Sequence, residues 1–356
     1  MSRINELRKQ LKERSLDAMW VTSAENHRYI SGFHNPDGWA LVTTEKAYLF
    51  ADFRYIEAAK REAYPDFKVI MPEGRISAEL KKALDECGAK KVGFEDDTLS
   101  CRELESLKNG VPGAEFVPAG DIFDVLRVIK EDGEVAEIIK AQRIAEDAFA
   151  ELLTRMTYDM TETEAAAELE YLMKKKGADD KSFDTIAISG SSTSSPHGVP
   201  MNRKLEKGFM TFDFGALVNG YHSDMTRTIV IGKADEDMKK VYNTVLKAQT
   251  AVLETISVGK SNFEMDKVAR DIIYDAGYKG CFGHSLGHGV GLLIHEKPNL
   301  SPNSPKDMVL HPGEIVTVEP GIYIEGKYGV RIEDMVLITK DGMTNLTNCP
   351  KELIEL

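Results

Sequence analysis

Apolar positions recur with two different periods along the first third of the chain. In RINELRKQLKER they fall three and four residues apart, which predicts an amphipathic helix over residues 3–14. DAMWVTS, GWALVTTEKAYLFAD, FKVIMPE and KKVGFE are short apolar or alternating runs of the strand type. Helices are expected between them, near 54–63 and 77–86. Such interleaving predicts an α/β domain over residues 1–125. VPGAEFVPAGD, with its prolines and glycines, reads as a connection. A second domain is expected over 126–356, opened by the helical run GEVAEIIKAQRIAEDAFAELLTRM.

The second domain repeats its own pattern. TETEAAAELEYLMKKKG (161–177) opens on Thr-x-x-Glu and stops at Gly177; SNFEMDKVARDIIYDAG (261–277) opens on Ser-x-x-Glu and stops at Gly277. Each opening is a capping-box signal, and each glycine suits the left-handed residue after a helix. Each of these helices follows a longer one, at 134–156 and 236–257. Each precedes a histidine-bearing segment rich in glycine or serine, and then strands. Two αα-then-ββ halves about 100 residues apart point to a duplicated unit.

Composition narrows the class. The 356 residues are 42% hydrophobic and 29% charged, an ordinary globular balance that suits about two domains. A net charge of −13 disfavours a nucleic-acid partner. No apolar run approaches the roughly 20 residues of a membrane helix. MSRINELRKQLKERSLDA lacks the apolar core of a secretory signal, and Cys87, Cys101, Cys281 and Cys349 are scattered, so a cytoplasmic setting is expected.

Candidate chemistry sits in the strands of the repeat. Asn219-Gly220 is a strong two-residue hairpin signal. With those residues as the turn, Asp213 faces Thr226 and Asp224 faces Gly215, so the two aspartates are diagonal neighbours on one face. In the second half, Glu319 and Glu333 lie at equal distances from Gly326 and can face each other across a hairpin. Arg331 shares the face of Glu333. Between the hairpins, GHSLGHGVGLLIHEKP carries His284, His288 and His295. Buried carboxylates need a cation or strong donors. Four of them with His288 could surround two divalent ions, and oxygen-rich ligation suits manganese, cobalt or zinc. From spacing alone, a set of structural salt bridges accounts for them equally well.

DFGALVNGYHSDMTRT (213–228), GHGVGLLIHEKP (287–298), VEPGIY (318–323) and VRIED (330–334) resemble, in this order, the motifs of the pita-bread metallopeptidases. That group includes methionine aminopeptidase, aminopeptidase P and prolidase, with creatinase as a metal-free relative. NHRYISGF (26–33) and ADFRYIEAA (51–59) resemble the extra N-terminal domain of the creatinase and prolidase type. The resemblance implies a mixed α/β (α+β) architecture, with that domain followed by a duplicated catalytic domain of antiparallel sheet flanked by helices. It also implies hydrolysis of the N-terminal Xaa-Pro bond of proline-containing peptides by a metal-bridging hydroxide, in a homodimer.

By the same resemblance, Asp213 would bind one ion through both oxygens, Asp224 and Glu333 would bridge the pair, and His288 and Glu319 would complete the other. Manganese is the expected ion, with cobalt or zinc as alternatives. Glu319 would also shuttle the proton. His197 and His295 would hydrogen-bond the scissile carbonyl or the oxyanion. His284 would line the substrate pocket, Tyr323 would offer a hydroxyl there, and Arg331 would order a metal-binding carboxylate beside it. Alternatives are a methionine-aminopeptidase-type activity and an inactive peptide-binding module. The full ligand set speaks against the module, and the domain at 1–125 against the simple methionine enzymes.

Overall fold

Ile4, Leu7 and Leu11 line the buried face of the first helix, α1 (Arg3–Glu13), in a computed structural model that describes residues 3–356. The chain divides into two units, Met1–Arg127 and Val128–Leu356. After α1 the first unit runs β1 (Ala18–Val21), α2 (Ala24–Ser31), β2 (Trp39–Thr43), β3 (Ala47–Phe50), α3 (Ile56–Glu62) and β4 (Phe67–Ile70). It continues with α4 (Ile76–Cys87), β5 (Lys91–Phe94), α5 (Cys101–Gly110), β6 (Glu115–Pro118) and α6 (Asp121–Arg127). Among the described residues its strands form one mixed sheet in the order β4-β3-β2-β1-β5-β6. The β3/β4, β1/β5 and β5/β6 pairs are parallel.

Two expectations need correction here. The presumed connection VPGAEFVPAGD contains β6, paired with β5. Its Pro118 is tolerated because β6 is an edge strand, where a missing amide breaks no ladder. The helix α5 was also unexpected, although its capping box was visible as Ser-Cys-Arg-Glu: Ser100 and Glu103 cap each other's backbone amides.

In the second unit, each half opens with two helices. The first half has α7 (Asp132–Arg155) and α8 (Glu162–Lys175), then β7 (Asp180–Lys181), β8 (Ile186–Ser189), a short 3-10 turn (Gly190–Ser194), β9 (Gly208–Phe214), β10 (Ala216–Val218), β11 (Tyr221–His222) and β12 (Met225–Ile231). The second half has α9 (Glu236–Thr255) and α10 (Asn262–Asp275), then β13 (Gly287–Gly289), β14 (Glu296–Leu300), β15 (Ile315–Val318), β16 (Gly321–Ile324), β17 (Tyr328–Arg331), β18 (Asp334–Thr339) and β19 (Gly342–Asn345). The named strands pair antiparallel in both halves.

The repeat extends to detail. Thr161 starts α8 and bridges to Lys204; Ser261 starts α10 and bridges to Val309. The caps themselves differ. Thr161 accepts the Glu164 amide in a full capping box. Ser261 makes no such bond, contrary to expectation; its hydroxyl is instead turned to donate to the Lys306 carbonyl at 2.9 Å. Each helix pair covers its own core. In the first half Phe149 of α7 packs on Phe212 and Phe214 of β9, with ring centroids 5.4 and 5.2 Å apart. In the second, Val241, Val245 and Val252 of α9 belong to one cluster with Val316, Val318 and Val330. Among the described residues no helix is long and apolar enough to cross a membrane.

Candidate metal centre

Two bent hairpins carry the carboxylates. In the first, Asn219 and Gly220 adopt left-handed backbone angles (φ 47° and 73°), which a two-residue hairpin turn requires. Val218 faces Tyr221 at the tip and Asp213 faces Thr226 at the base, the register expected from the turn. In the second, Ile324 faces Tyr328 about Gly326, and Val318 faces Asp334 at the base. Glu319 and Glu333 are therefore opposed across that hairpin. Asp213 is the penultimate residue of β9, beside the break between β9 and β10, and Asp224 lies between β11 and β12. Glu319 lies between β15 and β16, and Glu333 between β17 and β18. All four stand where each hairpin passes from one sheet to another, and such breaks re-aim side chains.

Threonines of β12 stitch the halves together. Thr226 donates from its hydroxyl to Glu333 Oε2 at 2.6 Å, and its carbonyl accepts the Glu333 amide at 3.2 Å. Thr228 donates to the Arg331 carbonyl and accepts the Arg331 amide. These threonines were not singled out from the sequence. The signal was there: Asp224, Thr226 and Thr228 alternate onto one strand face.

His197, Asp213, Asp224, His284, His288, His295, Glu319, Arg331 and Glu333 all line one cavity of about 510 Å³. Phe183, Ile186, Ile294 and Asn299, which sequence reasoning missed, are also on its wall. Tyr323 is not on that wall; it stands behind it, accepting from Arg331 Nη1 at 2.7 Å and bonded to His284 Nε2 at 2.9 Å. His284 Nδ1 faces the Ser285 carbonyl at 2.8 Å, so it carries the hydrogen and Nε2 accepts from the tyrosine. Arg331 also donates to Asp213 Oδ2 at 2.7 Å and to the Thr226 hydroxyl at 3.0 Å. His222 lies off the cavity wall and bonds the Ser182 hydroxyl.

Charge is badly balanced in this cavity. Asp224 and Glu333 are buried, and burial followed by the neighbouring carboxylates pushes both carboxyls well above their ordinary values. Burial, with Asp213 adding to it against Arg331, raises Glu319 to about 8. Burial lowers His288 to about 4, so its imidazole is neutral near pH 7. Oδ1 of Asp213 and Oε1 of Glu333 are buried with no hydrogen-bond partner among the described residues.

His288 shows what the set is built for. Its Nδ1 lies 3.0 Å from the Gly289 carbonyl, so Nδ1 donates and Nε2 holds a lone pair. That lone pair points at oxygens, 3.6 Å from Asp224 Oδ2 and 3.4 Å from Glu319 Oε1. Ligand atoms of Asp224, His288 and Glu333 lie within 4.8 Å of one another. A lone pair and several carboxylates turned toward one another repel unless a cation sits among them. The donor set, four carboxylates and one imidazole fixed by a carbonyl on its far nitrogen, fits hard or borderline divalent ions.

Residues 136–340 match the model of Metallopeptidase family M24, and residues 3–129 match the Creatinase/Prolidase N-terminal domain. The chain belongs to metallopeptidase family M24. Among its family relatives, an Xaa-Pro dipeptidase of Pyrococcus horikoshii is 40% identical, over 97% of this chain and 96% of that protein. A solved Xaa-Pro dipeptidase from Bacillus anthracis superposes with a TM-score of 0.96 at 41% identity, covering 99% of each chain. An X-Pro aminopeptidase from Thermotoga maritima superposes with a TM-score of 0.90 at 35% identity, covering 97% of this chain and 99% of that one. Membership in M24 implies divalent metal ions, and the crowded carboxylates of this chain fit that implication.

Proposed function

We propose that this M24 protein is an exopeptidase that hydrolyses the N-terminal Xaa-Pro bond of peptides with the help of two divalent cations. One observation carries the metal part: four carboxylates and the Nε2 of His288 face a single cavity, and two of the carboxylate oxygens have no partner among the described residues. The names of the relatives, an Xaa-Pro dipeptidase and an X-Pro aminopeptidase, support the choice of bond.

Asp213, Asp224, His288, Glu319 and Glu333 would hold the ions, manganese being the expected one. Cations bound there would supply Lewis-acid charge and make water acidic enough to attack near neutral pH. Thr317 donates to Glu319 Oε1 at 3.2 Å, which leaves Oε2 to carry a proton. With the ions in place, Glu319 would take the proton from the attacking water and pass it to the leaving proline nitrogen. His197 and His295 are exposed on the wall and would donate to the scissile carbonyl as its oxygen gains charge. Burial keeps His295 below its ordinary value, so it would act as a neutral donor. Arg331 and Tyr323 act one step back: the guanidinium holds Asp213 and the tyrosine, and the tyrosine holds His284 on the substrate-facing wall. An Xaa-Pro amide lacks the hydrogen that general peptidases use, so a cavity shaped for the ring selects it. A homodimer belongs to the same reading, and light scattering tests it.

The deciding experiment strips metal with a chelator, restores manganese, and assays Xaa-Pro dipeptides beside Xaa-Pro-Xaa peptides. Manganese-dependent cleavage of either is expected, and their ratio separates dipeptidase from aminopeptidase. Cleavage of neither would sink the assignment.

A further inference from the structure

Lys130 and Glu296 form an ion pair closed off from solvent on both sides. Nζ lies 3.3 Å from Oε2, and the side chains are 1% and 3% exposed. Burying such a pair gives little stability over apolar side chains of similar size. Its value lies in what it holds. The other oxygen of Glu296 accepts the Leu293 amide at 2.9 Å. The same carboxylate fills the place of a side chain at Gly291, where a Cβ would stand 2.5 Å from Oε1. Gly291 donates to the Leu293 carbonyl at 3.1 Å, and its own carbonyl accepts the His222 amide at 2.9 Å. Residues 291–296 thus fold around one carboxylate. Lys130 is anchored in turn, its amide donating to the Gly313 carbonyl at 2.8 Å. His295, on the cavity wall, immediately precedes Glu296, and its ring packs edge-on to His288 with centroids 4.4 Å apart.

We propose that the Lys130–Glu296 pair is a clamp that sets the position of His295 against substrate. Both are positioning residues and touch neither substrate nor cations. The catalytic part of this inference rests on the Xaa-Pro reading; the clamp itself rests on geometry. Without the ammonium group, the buried Glu296 carboxylate loses the charge paired with its Oε2, and the loop that wraps it is held less tightly. Misplacing a catalytic group by about 1 Å costs on the order of 100-fold in rate.

The test uses the full chain and four substitutions. Lys130→Met is expected to speed hydrogen–deuterium exchange in a peptide spanning 290–296 by about tenfold or more, while β9 and β12 keep wild-type rates. It is expected to lower kcat on an Xaa-Pro peptide by about 10- to 100-fold with KM within about twofold, and Lys130→Arg restores most of both. In a His295→Ala background, Lys130→Met should change kcat by less than about twofold, because the clamp acts through the ring already removed. If Lys130→Met does not fold, Glu296→Gln, which still accepts the Leu293 amide, is read in the same ways. Unchanged exchange at 290–296, faster exchange spread equally over β9 and β12, or the same fold-loss of kcat with and without His295 overturns the clamp. A wild-type protein that cleaves no Xaa-Pro peptide overturns the functional reading alone, and the exchange measurement still decides the clamp.

Discussion

Glu333 and Asp334 are consecutive and equally buried, at 1% and 0% exposure, yet the fold treats them in opposite ways. Asp334 is fully met: Arg227 Nη2 at 2.8 Å, Lys351 Nζ at 2.7 Å, Asn345 Nδ2 at 2.8 Å and Gln249 Nε2 at 3.0 Å. Burial would raise its carboxyl, but Arg227 and Lys351 hold it below the ordinary value. Glu333 has one hydroxyl donor on Oε2, nothing on Oε1 among the described residues, and carboxylates for neighbours. Glu95 in the first unit repeats the satisfied case, wrapped by donors from Thr22, Ser23 and Asn26. A buried carboxylate with its donors supplied is structure. One held without them, beside others like it, is a place kept for a cation.

The largest effect should come from Glu333→Gln or Asp224→Asn. Each is expected to lower Xaa-Pro turnover by roughly a thousandfold or more, about 4 kcal/mol at the transition state. Bound metal per chain, by plasma mass spectrometry, should fall with it. Wild-type turnover in either variant would end the distinction. Next in size, Asp334→Ala strands Arg227 in the core and should cost about 3–5 kcal/mol in denaturant unfolding. A cost below about 1 kcal/mol would show that its donors were not needed.

The comparison sharpens with pH. Glu319 is raised to about 8 from an ordinary 4.5, so its contribution to stability is full below 4.5 and lost as pH climbs through about 8. His284 and His288 are lowered to about 4 from 6.5, so theirs is present above 6.5 and lost as pH falls toward about 4. Between 6.5 and 8 the carboxyls act alone. The melting temperature of chelated protein should therefore drop across that window, and saturating manganese should abolish the drop. A rise with pH in chelator would contradict the assignment of Glu319. The smallest effect has the opposite sign. In metal-free protein Glu333→Gln removes a buried carboxyl that folding must protonate and should stabilise, by on the order of 1 kcal/mol.

How much of this was open to reading from the chain depends on how local the signal is. Asn219-Gly220 and the symmetry about Gly326 define both hairpins, because strand pairing follows from the turn by counting. Counting from the turns also brings Asp213 near Asp224 and Glu319 near Glu333, because each lies on or directly beside a counted strand. Ser261 shows the limit. Its capping signal equals that of Thr161, but its hydroxyl is turned toward a carbonyl 45 residues away. Lys130 and Glu296 are 166 residues apart, and no periodicity links them. The donors around Asp334 come from four separate segments, so nothing local separates it from Glu333.

The carbonyl of Gly289 has one more consequence, for acid tolerance. Because it pins the hydrogen of His288 to Nδ1, an incoming proton can enter this ring only at Nε2, the atom that would bind a metal. Proton and metal then become strict rivals for one lone pair, and the ring cannot relieve the contest by changing tautomer. Acidification would strip the ion before it unfolds the chain, and the loss should reverse on neutralising with metal present.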